Sequence, residues 1–197
     1  MPLTFTNQIS QNISIAVWHI VENEDYFYNF LSLFPNDEKK IKNIKLQKMR
    51  LQKLACRAAL AKLLGNNKIS ITYSESGQPQ LKDHYISFSH TNNAVAVAVA
   101  TIPVGIDMEE FTPRILPLYT RFMSNKEIDE CDVNNLKDLY YYWCAKEAMY
   151  KWVATKKLDF IKDLEVVKSE NKGIVSKKQF LQLKEYLFEN HIVVVCF

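Results

Sequence analysis

The 197 residues are 48% hydrophobic and 12% aromatic, enough to bury a packed core as one domain or as two small subdomains. Lys and Arg total 25 against 22 Asp and Glu, and the resulting +3 is too mild to argue for nucleic acid. The longest apolar run, Ala94 to Ala100, is about a third of the ~20 residues that a membrane helix needs. Cys56, Cys131, Cys144 and Cys196 show no Cys-x-x-Cys spacing, and the N-terminus lacks a cationic start with an apolar run. Both features predict a soluble cytoplasmic protein with free thiols.

In chain order, Ile13 to Ile20 reads as an apolar strand and Tyr26 to Phe34 as a short aromatic helix ending near Pro35. Asn36 or Asp37 is placed to cap a long helix whose Ile41, Ile44, Leu51, Leu54, Ala55 and Ala58 share one stripe, with Gly65 as its stop. Ile69 to Tyr73 predicts a strand, Ser76-Gly77-Gln78-Pro79 a turn, and Tyr85 to Ser89 and Ala94 to Ala100 two further strands. Pro113 and Pro117 bracket an irregular segment, and Ser124 with Glu127 three residues on forms a capping box. Asn134 or Asn135 caps a helix carrying Trp143 to Lys151. Leu164 to Lys168, an Asn171-Lys172-Gly173 turn, Ile174 to Ser176, Phe180 to Leu187 and Ile192 to Phe197 complete a strand-rich tail. The reading is α+β, with mainly antiparallel strands packed on a long helix in each half and a division into residues 1–102 and 103–197.

Two strings carry chemistry. In Gly105-Ile106-Asp107-Met108-Glu109, a strand period of two aims both carboxylates at one face. In Trp143-Cys144-Ala145-Lys146-Glu147-Ala148-Met149-Tyr150-Lys151, Glu147 and Lys151 stack one helical turn apart. Hard carboxylate oxygens at Asp107, Glu109 and Glu147 suit Mg²⁺, which leaves positions for substrate phosphate, and a lysine one turn away would neutralise phosphate charge. Taken singly, Asp107 and Glu109 also suit a solvated strand end, and Glu147 with Lys151 an ordinary surface pair. Trp143 and Tyr140, at helical spacing from apolar neighbours, read as core. Arg57, among small and apolar residues on the basic helix, needs an anion to offset its desolvation.

Together the strings resemble the 4′-phosphopantetheinyl transferases of the surfactin-synthetase-activating kind. That family has Gly-Ile-Asp-hydrophobic-Glu followed some 35 to 45 residues later by Trp-x-x-Lys-Glu-x-x-x-Lys, matched here at Trp143, Lys146, Glu147 and Lys151. A Ser-His pair precedes the first string as Ser89-His90, and Arg121 to Glu127 is similar to the family's Arg-Phe-Phe-Ser-x-x-Glu segment. Two departures stand out: Gly77-Gln78-Pro79 lacks the lysine of the family's Gly-Lys-Pro, and Ala154 to Leu158 lacks its glycine.

The resemblance implies two similar α+β subdomains related by a pseudo-twofold axis in a monomer. It also implies transfer of the phosphopantetheine arm of coenzyme A to a serine of an apo acyl or peptidyl carrier protein, with release of adenosine 3′,5′-bisphosphate. Asp107, Glu109 and Glu147 would hold Mg²⁺, with Glu147 or a metal-bound water beside it as candidate base and Lys151 on the leaving phosphate. Ser89, His90, Arg50, Arg57 and Lys151 would contact coenzyme A. Nucleic acid and membrane are not expected partners. A different Mg²⁺-dependent phosphodiester enzyme or a non-catalytic carrier-binding module would draw on the same carboxylates.

Overall fold

Residues 3–154, 158–188 and 190–197 are described by the computed structural model, and the chain forms two units, Met1–Pro103 and Val104–Phe197. The mixed α+β class expected from the strand and helix order is the class found. Among the described residues no helix is long and apolar enough to cross a membrane.

In the first unit, Leu3–Ser10 (β1) and Ile13–His19 (β2) form an antiparallel hairpin. The sequence reading missed β1, because the polar residues Thr6, Asn7 and Gln8 mask the apolar signal of what is an edge strand. Glu24–Phe30 (α1) starts at Asn23, whose side chain accepts the Tyr26 N–H at 3.0 Å. The predicted long helix is two helices, Pro35–Lys42 (α2) and Gln47–Leu64 (α3), because the chain breaks between Asn43 and Leu46. Arg50 stabilises the break, its Nη1 donating to the carbonyls of Ile44 at 2.7 Å and Lys45 at 3.2 Å. The apolar period runs on through the interruption, so the pattern alone does not reveal it. Nor does Asn36 or Asp37 cap α2; Phe34 precedes it and Pro35 opens it, a position where a missing N–H costs nothing. Gly65, at φ +63°, ends α3 as expected.

After the short hairpin of Thr72–Tyr73 (β3) and Pro79–Gln80 (β4) come Tyr85–His90 (β5) and Ala94–Ala100 (β6). The sheet order is β1-β2-β6-β5. Val95, Val97 and Val99 of β6 join Trp18, Phe27, Leu54, Ala55, Ala58 and Leu60 in one core beneath α3.

The second unit opens with Gly105–Glu110 (β7), followed by two short 3₁₀ turns, Asn125–Asp129 (α4) and Leu136–Val153 (α5). Leu164–Val167 (β8), Lys172–Val175 (β9), Gln179–Phe188 (β10) and His191–Cys196 (β11) complete an antiparallel sheet of order β7-β11-β10-β9-β8. α5 lies on the sheet over a core of Leu139, Tyr141, Ala145, Ala148, Met149, Leu164, Val166 and Val194. Gly173 sits within β9 and not in a turn, since the adjacent Asn171, at φ +49°, makes the reversal. A Cβ on Gly173 would stand 2.7 Å from Met149 Sδ, so its role is to admit that side chain. Ala154 takes the left-handed cap of α5, at φ +61°, in the segment where the resemblance expects glycine; residues 155–157 of that departure lie outside the described residues.

Candidate active site

The alternation of β7 turns Gly105, Asp107 and Glu109 toward α5, on which Trp143, Glu147 and Lys151 recur every fourth residue. Lys151 Nζ reaches across to β7 and donates to Asp107 Oδ1 at 2.7 Å and to the Ile106 carbonyl at 2.9 Å. Glu109 is held from two sides, by the Trp143 indole N–H on Oε1 at 3.1 Å and by Arg114 on Oε2 at 2.8 Å. Asp107 is buried at 5% exposure, and Glu147 is half-buried.

Gly105 brings the strand this close to the helix. A Cβ there would lie 2.0 Å from the backbone oxygen of Ala148 and 3.0 Å from Cys196 Sγ, and the first of these atoms cannot rotate away. Gly105→Ala is therefore expected to push α5 from β7 and cost about 3 kcal/mol, several degrees in melting temperature. Gly173→Ala should cost much less, since only the flexible Met149 side chain must move. Thermal denaturation of the two variants checks the contrast.

The crowding of carboxylates perturbs their acidity. Burial and then the charge of Asp107 push the Glu147 carboxyl up to about 7, with Glu109 adding and Lys151 opposing. Burial and Asp107 likewise raise Glu109, against the hydrogen bond from Trp143 and the charge of Arg114. Beneath them the Cys144 thiol is kept protonated by burial and by the charges of Asp107 and Glu109. It is an inert neighbour of the site and no nucleophile.

This donor set fits a hard divalent cation in its chemistry: three carboxylates, of which Asp107 raises both Glu109 and Glu147, would be relieved by positive charge. In the structure Asp107 faces Lys151 and Glu109 faces Trp143 and Arg114, and among the described residues no three His, Cys, Asp or Glu side chains are gathered as a ready-made cation cage. Residues 103–196, which span nearly the whole unit, match the family model of the 4′-phosphopantetheinyl transferase superfamily. The second unit is similar to the 4′-phosphopantetheinyl transferase superfamily. The recognition made on the Gly-Ile-Asp and Trp-x-x-Lys-Glu strings therefore stands.

Two relatives from Bacillus subtilis are similar to the chain. A 4′-phosphopantetheinyl transferase is 30% identical over 129 residues, covering 61% of this chain and 57% of its own length. The 4′-phosphopantetheinyl transferase Sfp, from strain 168, is 30% identical over 95 residues, covering 45% and 42%. The chain thus spans about half the length of these relatives.

Within the second unit the structure gathers Asp107, Glu109, Glu147 and Lys151. The remaining sequence candidates lie in the first unit. Ser89 is buried and His90 exposed on successive positions of β5. Arg57 finds its anion inside the chain: Nη2 lies 3.0 Å and Nε 3.1 Å from Asp37 Oδ2, and the side chain is buried. That pairing joins α3 to α2 and leaves little of the guanidinium for a ligand. Arg50 binds Glu24 at 2.9 Å besides bridging the helix break, with the side chain partly exposed. Sequence reasoning placed Trp143 in the core and overlooked Arg114. The four-residue spacing of Trp143 from Glu147 was the available signal for the first; nothing local signals the second.

Proposed function

We propose that the chain transfers the 4′-phosphopantetheine arm of coenzyme A to a serine of an apo carrier protein and releases adenosine 3′,5′-bisphosphate. The observation that carries the reading is the meeting of Asp107 and Glu109 on β7 with Glu147 and Lys151 on α5, the residues of both family strings. Asp107, Glu109 and Glu147 would hold Mg²⁺, which when bound supplies positive charge to the pyrophosphate of coenzyme A. Lys151, already directed at this group of carboxylates, neutralises the departing phosphate. Glu147, on the same face of α5 as Lys151, is the carboxylate placed to take the serine proton. The serine oxygen then forms its bond to the arm-side phosphorus as the bridging oxygen leaves with the bisphosphate.

Ser89 and His90, at the end of β5, supply hydrogen bonds to coenzyme A in this reading, and Arg50 of α3, paired with Glu24, is a further contact. The basic residues of α2 and α3 suit the acidic helix on which carrier proteins present their serine. The same reading takes the chain as a monomer of two related α+β subdomains. Release of adenosine 3′,5′-bisphosphate from coenzyme A, dependent on both apo carrier protein and Mg²⁺, tests the reaction; release without carrier protein would point to a hydrolase.

Lys151→Met separates a phosphate contact from a purely structural one. Transfer is expected to fall by about 10²-fold, comparable to losing one donor to developing charge. Asp107 loses its counter-ion, so the melting temperature should also fall, and Mg²⁺ should restore more of it than it adds to the unmodified protein. Equal small changes in rate and melting temperature would assign Lys151 to structure alone.

A further inference from the structure

Arg114 follows β7 directly, in a 3₁₀ turn opened by Pro113, and its guanidinium closes on Glu109 Oε2 at 2.8 Å. The two partners differ in their surroundings: the arginine side chain is 67% exposed, the glutamate 22%. The other oxygen, Oε1, is taken by Trp143 at 3.1 Å. Both oxygens of Glu109 are thus committed to donors of the chain, yet the two commitments are unequal. Trp143 is packed between Phe122, with ring centroids 5.1 Å apart, and Phe160, at 5.9 Å, so its indole is fixed. Arg114 sits at the rim of a cavity of about 310 Å³ lined by Ile115, Leu118, Phe122 and Tyr140, and has both that space and solvent to withdraw into.

We propose that Arg114 is a built-in counter-ion of the site, a latch that a divalent cation must displace from Glu109 Oε2 and that sets how tightly the cation is held. The inference rests on the reading of Asp107, Glu109 and Glu147 as cation ligands. Trp143 keeps Glu109 pointed at the site through Oε1, while Arg114 occupies the oxygen on which a cation would compete. An exposed ion pair contributes little net stability, so releasing Arg114 is inexpensive, whereas its positive charge beside the site opposes an incoming divalent ion. The Tyr140 hydroxyl, 2.9 Å from Thr112 Oγ1, lines the cavity into which the guanidinium can withdraw. Arg114 is in this sense a positioning residue that acts through Glu109.

The test measures Mn²⁺ binding by paramagnetic resonance, a readout independent of catalysis, since Mn²⁺ shares the preference of Mg²⁺ for oxygen ligands. Arg114→Gln is expected to bind Mn²⁺ about three- to tenfold more tightly than the unmodified protein at low salt. The gain should shrink at about 0.5 M salt, where the Debye length is down to about 4 Å and the exposed guanidinium is screened. Arg114→Lys, which restores the charge, should return close to the original affinity, and on a Glu109→Gln background Arg114→Gln should gain much less. Equal or weaker binding by Arg114→Gln, with the melting temperature unchanged, would overturn the latch alone. Absence of Mn²⁺ binding from both the unmodified protein and Arg114→Gln would overturn the ligand reading and the latch with it.

Discussion

Lys146→Met is expected to lower the stability of the second unit by about 3–5 kcal/mol, the range for breaking a buried ion pair. Lys146 has no exposed surface and Glu127 only 1%. The ammonium stands 2.7 Å from Glu127 Oε2 and 2.7 Å from the Phe160 carbonyl. Glu127 in turn accepts the backbone N–H of Ser124 at 2.7 Å, completing the capping box of α4, and that of Val166 at 2.8 Å on β8. One carboxylate therefore joins α4, α5 and β8, and removing the lysine leaves it in the core with backbone donors but no counter-ion. Burial lowers the pKa of the Lys146 ammonium, with Glu127 opposing, so the pair is held at a desolvation cost and not for its own energy. Lys146→Met combined with Glu127→Leu should accordingly recover much of the loss, since apolar replacements remove both desolvated charges at once. Urea denaturation of the two singles and the double makes the cycle. A loss below about 1 kcal/mol for Lys146→Met would place the ammonium in water.

Asp107→Ala is expected to reduce transfer by about 10³-fold or more while leaving the fold in place. Its carboxylate is the largest charge acting on Glu147 and the partner of Lys151, so on the proposed function its removal would take a cation ligand from the site and change the acidity of Glu147. The sign of the second effect is definite. A carboxyl raised from 4.5 to about 7 is ionised at a cost, so in the cation-free protein this group erodes stability as pH climbs between those values. With Asp107 gone the Glu147 carboxyl should drop, and the erosion should flatten. Melting curves in chelator across that range measure the second effect, and transfer rates at raised Mg²⁺ measure the first. Near-normal turnover at low millimolar Mg²⁺ would remove Asp107 from the ligand set.

Much of this site was legible before any coordinates, because the relevant signals are local. The two-residue period of β7 and the four-residue period of α5 place Asp107, Glu109, Glu147 and Lys151 on inward faces without any knowledge of the sheet. The Ser124–Glu127 capping box was legible for the same reason. What escaped the sequence is set by distant pairing. Nothing near Glu109 in sequence says that Trp143, 34 residues on, will donate to it, and an aromatic at helical spacing reads as core. Arg57 called for an anion, but Asp37 on another helix answers that call only once the break at Asn43 to Leu46 turns the chain. The need for Gly105 is likewise invisible until Ala148 is seen against it.

The central claim is that this chain moves a phosphopantetheine arm onto a carrier serine. Intact-mass spectrometry of an apo carrier protein incubated with the chain, coenzyme A and Mg²⁺ tests it most directly, with Glu147→Gln in parallel and fragmentation to locate the modified residue. The account predicts a mass gain of one phosphopantetheine on the carrier serine, abolished by chelator and by Glu147→Gln. An unmodified carrier protein with the folded chain, across a panel of fatty-acid, polyketide and peptide carriers, would contradict it.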